Sequence, residues 1–339
     1  MRSILLLGLA AVLAAEPVAA QTSAGTLGQV RARGELVCGT NPGLAGFALR
    51  DEQGAWRGLD ADTCRAVAAA VLGDATKVRF VPLGVADGIA ALQAGSVDLL
   101  ARNLTFTMSR DVDLGMSLTA VSFYDAQGFL VPTASGIRAA DGLAGKRVCV
   151  GAGTSNEVAL GDAARRLGIT ITIVPVSGFA GLRDAYRQGQ CDAASSDSSQ
   201  LAALRQAVDT PAAHETLPDT ISREPLGPMV RDGEAAWRSI VTWSVNAMIE
   251  AEALGLTASN AAARRSDASP LMRRFLGAEP GLGTPLGLAD DWAFRIVTQV
   301  GSYAEVFDRN LGAASALKLD RGLNALWNRG GLMYPIPMR

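Results

Sequence analysis

One short pattern occurs twice in the chain and constrains its fold more than any other feature. Ala91-x-x-x-Gly95-x-x-Asp98 and Ala185-x-x-x-Gly189-x-x-Asp192 each close a helix with glycine and open a short strand. Each then reaches a polar residue, Asn103 or Asp197, five positions past the aspartate. Around the first copy the signals alternate. Leu36 to Thr40 reads as a strand, Asp62 to Leu72 as a helix stopped by Gly73, and Val78 to Val81 as a strand. Asp87 to Ala94 follows as a helix and Val97 to Ala101 as a third strand. Around the second copy the series repeats: strand Arg147 to Val150, helix Asn156 to Leu167, strand Ile169 to Pro175, helix Phe179 to Gln188, strand Cys191 to Ser195. Strands joined by crossover helices predict parallel pairing, so the chain is α/β with one architecture used twice. Helix-glycine-strand punctuation is common, and the letters do not establish common descent of the halves.

Outside the two units the chain changes character. Met1-Arg2, the apolar run Ile4 to Ala15 and Val18-Ala19-Ala20 read as a secretory signal peptide, residues 1–20, whose apolar run is too short to span a bilayer. After residue 231 the signals are helical: Glu234 to Leu254, a helix opened by Ser269-Pro270, Asp290 to Leu311, and Arg321 to Trp327. Without strands of its own, this tail is expected to pack on the two units. Export gives the four cysteines a meaning, since an even number outside the cytosol points to disulfides. Four cysteines allow three connectivities; with one pair per unit, Cys38–Cys64 and Cys149–Cys191 is the economical one.

Several function classes lack their parts. Lys+Arg 31 against Asp+Glu 33 excludes a basic nucleic-acid surface. No Cys-x-x-Cys exists and His214 is the only histidine, so no metal is expected. No Gly-x-Ser-x-Gly supports a hydrolase, and Gly151-x-Gly153 lacks the following Gly-Lys-Ser/Thr of a phosphate loop, so no cofactor is expected.

In open parallel sheets ligands bind beyond the carboxyl ends of the strands. In the first unit that place holds Asn103, Thr105 and Arg110; in the second, Thr154 and Ser155 at a helix start, and Asp197 after the closing strand. Arg110 offers a planar fork to a carboxylate, the helix start offers amides and hydroxyls, and Asp197 offers a partner to an ammonium. Together they describe a receptor for a free α-amino acid. Singly, each has a plainer reading: Arg110 as an ion pair with Asp111 or Asp113, Asp197 as a helix cap.

These residues sit in longer stretches: Val30 to Gly39, Leu59 to Ala70, Asp98 to Arg110, Tyr124 to Phe129, Ser222 to Pro228 and Gly322 to Trp327. On them the chain resembles the periplasmic substrate-binding proteins of polar amino acid ABC importers, the general L-amino acid type of solute-binding protein family 3. The resemblance implies a type II periplasmic-binding-protein fold, two α/β lobes joined by a two-crossing hinge. Lobe 1 would be 21–128 plus 229–339, with the C-terminal helices, and lobe 2 would be 129–228. It implies a monomer in the periplasm, no enzymatic activity, a free polar or broad-range L-amino acid as ligand, and permease subunits of an importer as partners. It places Asn103, Thr105, Arg110, Thr154 and Ser155 on the carboxylate, Asp197 on the ammonium, and Phe47 and Phe106 against the side chain. Val85-Ala86-Asp87-Gly88 carries no Arg where members preferring acidic amino acids have one, and Phe106 stands where Trp is common. Broad or altered specificity follows. The competing class is a periplasmic enzyme on the same fold, similar to a cyclohexadienyl or arogenate dehydratase. It needs a general acid at the cleft floor, where the sequence offers no carboxylate beyond Asp197.

Overall fold

A computed structural model describes residues 25–339, so the expected signal peptide, 1–20, lies outside the described residues. The repeated pattern has a structural meaning. Gly95 and Gly189 take the left-handed conformation, φ 71° and 66°, that closes the helices Val85–Gln93 and Gly178–Arg187. The next amide reaches back to the repeat alanine in both copies, Ser96 N to Ala91 O at 2.9 Å and Gln190 N to Ala185 O at 3.0 Å. The aspartates then clamp the following segment to the first strand of each unit. Asp98 Oδ2 accepts from Val37 N at 2.6 Å, and Asp192 Oδ2 from Arg147 N at 2.8 Å.

Two five-stranded sheets result, with the same layout. The first runs Val78–Pro82, Leu36–Thr40, Leu99–Leu100, Met229–Arg231, Met116–Leu118; the second runs Thr172–Val176, Arg147–Gly151, Ala193–Asp197, Gln127–Pro132, His214–Thr216. The first three strands of each are parallel and the fourth enters antiparallel. That fourth strand is chain arriving from the other sheet. Phe123–Asp125 leads into Gln127–Pro132, Glu224–Leu226 leads into Met229–Arg231, and the two crossing strands pair antiparallel with Glu224 opposite Asp125.

The alanine-rich helix Leu59–Leu72 is buried along nearly its whole length, with Ala61, Ala66, Ala68 and Ala69 at 0% exposure. Small side chains let it lie between the first sheet and an outer layer of tail helices, Ala235–Ala253 and Trp292–Gln299. Its buried Asp62 is satisfied from the tail by Arg309 at 2.7 Å and Asn310 at 2.7 Å, and locally by Arg65 at 2.9 Å. Tail residues thus share one core with the first sheet, from Trp237 and Trp292 to Phe307 and Met333. Among the described residues no helix is long and apolar enough to cross a membrane.

Three expected elements are corrected. Asp290 to Leu311 divides into Trp292–Gln299 and Tyr303–Asn310, because Gly301 at φ 106° breaks the first helix and Ser302 with Glu305 forms a capping box that starts the second. Arg321 to Trp327 holds only short 3-10 turns, Gly322–Asn324 and Trp327–Arg329. The third strand pairs only at Leu99 and Leu100.

Cys38 is bonded to Cys64 and Cys149 to Cys191, tying strand to helix in one unit and strand to strand entry in the other. Denatured, unreduced protein is expected to take up no alkylating reagent, and reduced protein four equivalents, by intact mass. Replacing Cys149 and Cys191 together by Ser is expected to lower stability in urea by roughly 3 to 4 kcal/mol, from the loop freed in the unfolded chain.

Candidate functional site

The carboxyl ends of the two sheets face one another across a cavity of about 60 Å³, lined by Asn103, Thr105 and Arg110 from one side and Thr154, Ser155 and Asp197 from the other. On the first side, Asn103 at φ 48° turns the chain sharply after Leu99–Leu100, a conformation asparagine tolerates better than most residues. Asn41, just after strand Leu36–Thr40, donates from Nδ2 to Asn103 Oδ1 at 2.9 Å and holds the two loops together. Thr107 Oγ1 caps the short helix Met108–Val112 by accepting from Arg110 N, which fixes the start of the arginine side chain.

Arg110 is 7% exposed and forms no ion pair with Asp111 or Asp113. Its Nη1 donates to Thr105 O at 2.6 Å, and among the described residues no carboxylate oxygen lies within 4.0 Å of it. On the second side, Thr154 caps the 13-residue helix Ser155–Leu167, accepting from Glu157 N at 3.3 Å and donating to Gly151 O at 2.7 Å. Asp197 precedes helix Ser198–Ala207 but makes no side-chain cap bond. Instead its oxygens accept from Asn156 Nδ2 at 2.8 Å and Gln200 Nε2 at 3.2 Å, and it is 3% exposed with no cationic partner within 4.0 Å among the described residues.

Phe47 is placed elsewhere. It is 1% exposed in the core, edge-on to Phe123 at 5.3 Å, and does not line the cavity. Phe106 packs partly buried beneath a second, open cavity of about 610 Å³ that shares Thr105, Arg110, Thr154 and Ser155 with the inner one. The ring that lines the inner cavity is Phe179, from helix Gly178–Arg187. Its position at the start of the helix that follows a predicted strand was the available signal.

Glu224 corrects the expectation that Asp197 is the only carboxylate near the cleft floor. It sits on a crossing strand, 3% exposed, and accepts from Thr105 Oγ1, from Ser155 Oγ at 3.2 Å and from Ser222 Oγ. One carboxylate therefore links a hydroxyl from each side of the cleft. Asp125, opposite it on the other crossing strand, accepts from Ala126 N at 2.8 Å and from Ser199 Oγ.

The chain matches the model for bacterial extracellular solute-binding proteins, family 3, over residues 36–156. It is 44% identical to the general L-amino acid-binding periplasmic protein AapJ of Rhizobium johnstonii, over 97% of this chain and 97% of that protein. It is also 44% identical to the glutamate/glutamine/aspartate/asparagine-binding protein BztA of Rhodobacter capsulatus, over 95% and 96% respectively. Among solved structures, an ABC transporter periplasmic binding protein from Brucella ovis with glutathione bound superposes with a TM-score of 0.91 at 44% identity, covering 93% of this chain and 100% of that one.

Burial disturbs the acids around the cleft in one direction. Desolvation pushes Asp60 up to about 7 and Asp125 up to about 6, and raises Asp197 well above the usual range, with the charges of Asp125 and Glu224 adding to it. These groups ionise near pH 4 in the unfolded chain, so between about pH 4 and 7 the folded state holds more protons. Their contribution to stability is full at the acidic end of that window and is lost as pH rises through the folded values. His214, lowered by burial, acts in the opposite sense but is a single group. Urea melts of ligand-free protein are therefore expected to show stability falling from pH 5 to 7.5, and Asp60→Asn to flatten that slope; an unchanged slope in the variant contradicts the assignment.

Proposed function

The chain belongs to family 3 of the bacterial extracellular solute-binding proteins, and on that premise we propose that it captures a free L-amino acid between two lobes and delivers it to the permease of an ABC importer. Lobe 1 is then 21–128 plus 229–339 and lobe 2 is 129–228, a division supported by the change of sheet at each crossing strand. The observation that carries the reading is a buried guanidinium and a buried carboxyl group, Arg110 and Asp197, each without an ionic partner among the described residues and both facing one cavity. A zwitterion supplies both missing partners. Its carboxylate meets Arg110, the Ser155 helix start and Thr105; its ammonium meets Asp197.

The relatives named above are periplasmic binding proteins, and two disulfides suit an oxidising compartment, which supports export to the periplasm. Glu224 does not favour the dehydratase alternative. Its oxygens are taken up by the hydroxyls of Thr105, Ser155 and Ser222, and it does not line the inner cavity, so it serves as a link between the two sides of the cleft.

Micromolar affinity needs about 8 kcal/mol, within reach of several charge-assisted hydrogen bonds at about 1.5 to 3 kcal/mol each plus burial of the ligand stem. A thermal-shift screen of the L-amino acids and glutathione, followed by calorimetry, is expected to find saturable binding of at least one amino acid. Arg110→Ala is expected to weaken it by roughly 3 to 5 kcal/mol, because the ligand carboxylate is left desolvated and unpaired. No binding of any amino acid at millimolar concentration, or an Arg110→Ala affinity within tenfold of wild type for every ligand, overturns the reading.

A further inference from the structure

Asp125 belongs to a crossing strand and does not line the inner cavity, yet it is tied to the acid that does. The first turn of one helix, Ser198–Ala207, serves both groups. Ser199 donates to Asp125 from its backbone N at 3.4 Å and from Oγ, and Gln200 Nε2 donates to Asp197 at 3.2 Å. Ser198 pins that turn to the crossing strand, its N and Oγ donating to Ala126 O at 2.8 and 2.9 Å.

A third acid completes the group. Glu224 pairs opposite Asp125 on the second crossing strand, and among the described residues no cation lies within 4.0 Å of Asp125, Asp197 or Glu224. Arg110, on helix Met108–Val112, acts on Glu224 and Asp197 only through the field, and Arg102, after strand Leu99–Leu100, acts in the same way on Asp197 and on Asp60 of helix Leu59–Leu72. Glu157, in the first turn of helix Ser155–Leu167, is occupied by Gly153 N at 2.8 Å. Three carboxyl groups withdrawn from water are costly to ionise together, and burial with mutual repulsion raises both Asp125 and Asp197.

Resting on the amino acid reading, in which Asp197 takes the ligand's ammonium, we propose that Asp125 is a positioning residue that acts through Asp197: the two acids hold one proton between them in the ligand-free cleft, and the incoming ammonium expels it to solvent. The ligand's N–H groups then donate to an ionised Asp197, and its positive charge offsets the repulsion between Asp197 and Asp125. Binding is therefore proton-linked, and affinity rises with pH until the ligand-free pair has lost its proton.

Calorimetry of glutamine, alanine and glutamate binding, in buffers of low and high ionisation enthalpy, counts the protons. Between pH 5.5 and 7.5 the ammonium and carboxylate of a free amino acid both stay charged, so a released proton comes from the protein. The wild type is expected to release about 0.5 to 1 proton per ligand near pH 6, with affinity rising about tenfold from pH 5.5 to 7.5. Asp125→Asn keeps an oxygen acceptor for Ser199 and removes the charge; it is expected to release less than about 0.3 proton and to rise less than about threefold in affinity over the same range. A purely structural role for Asp125 instead lowers affinity by one factor at every pH and leaves the proton count at its wild-type value. That result, or wild-type binding with no proton released, overturns the inference while the amino acid reading stands. If Asp125→Asn does not fold, Ser199→Ala carries the test. It removes a hydroxyl that favours the ionised Asp125, so the midpoint of the affinity profile is expected to move to higher pH, and an unmoved midpoint decides against the proposal. A wild type that binds no amino acid removes the reading underneath and this inference with it.

Discussion

Ionisable groups taken out of water without a full set of partners are the constraint around which the cleft is organised. Arg102, Arg110 and Asp197 are each under 10% exposed, and none has an oppositely charged group within 4.0 Å among the described residues. Burying an ion costs several kcal/mol unless something of opposite charge repays it. Hydrogen bonds from Asn156 and Gln200 to Asp197, and from Arg110 to Thr105 O, offset part of that cost. The remainder is available to a ligand that brings the missing charges, which is how a cleft can be unfavourable when empty and selective when filled.

The frame that holds these groups is the pair of crossing strands, Phe123–Asp125 and Glu224–Leu226. Their pairing sets two acids opposite one another, an arrangement that costs stability unless each is hydrogen-bonded, and each is. The tail braces one of them. Asn324 donates to Tyr124 O at 3.0 Å and accepts from Tyr124 N at 2.7 Å, and Tyr303 donates to Ser122 O at 2.8 Å. The helical extension is therefore more than added bulk on the first sheet: it fixes the chain where the crossing begins.

Much of the fold was legible because its signals are local. Glycine caps, alanine-rich helix faces and the repeated aspartate act within a few residues, and the six polar residues at strand ends do converge on one cavity. What escaped was set by packing between distant segments. Phe47 reads as a cleft aromatic but is drawn into the core by Phe123 and its neighbours. Glu224 lies on a crossing strand, far in sequence from both hydroxyls it joins, and no spacing rule points to it. Arg102 stood in plain view beside Asn103, yet no local pattern shows that it lines the cavity. The continuous helix expected over Asp290 to Leu311 failed for a local reason that was readable, since Gly301-Ser302-x-x-Glu305 is a break followed by a capping box.

Recognition in this cleft is one electrostatic arrangement. The Thr105–Glu224–Ser155 bridge joins hydroxyls from both sides of the cleft through a shared carboxylate, so the two sides are linked by the protein's own groups. A ligand favours this arrangement only through interactions that are stronger here than in any alternative one. Arg110 and Asp197 offer such interactions, because both are buried without an ionic partner among the described residues, and a group that answers only one of them leaves the other desolvated. Discrimination in this cleft therefore follows from what an imperfect ligand leaves unpaired as much as from what it touches.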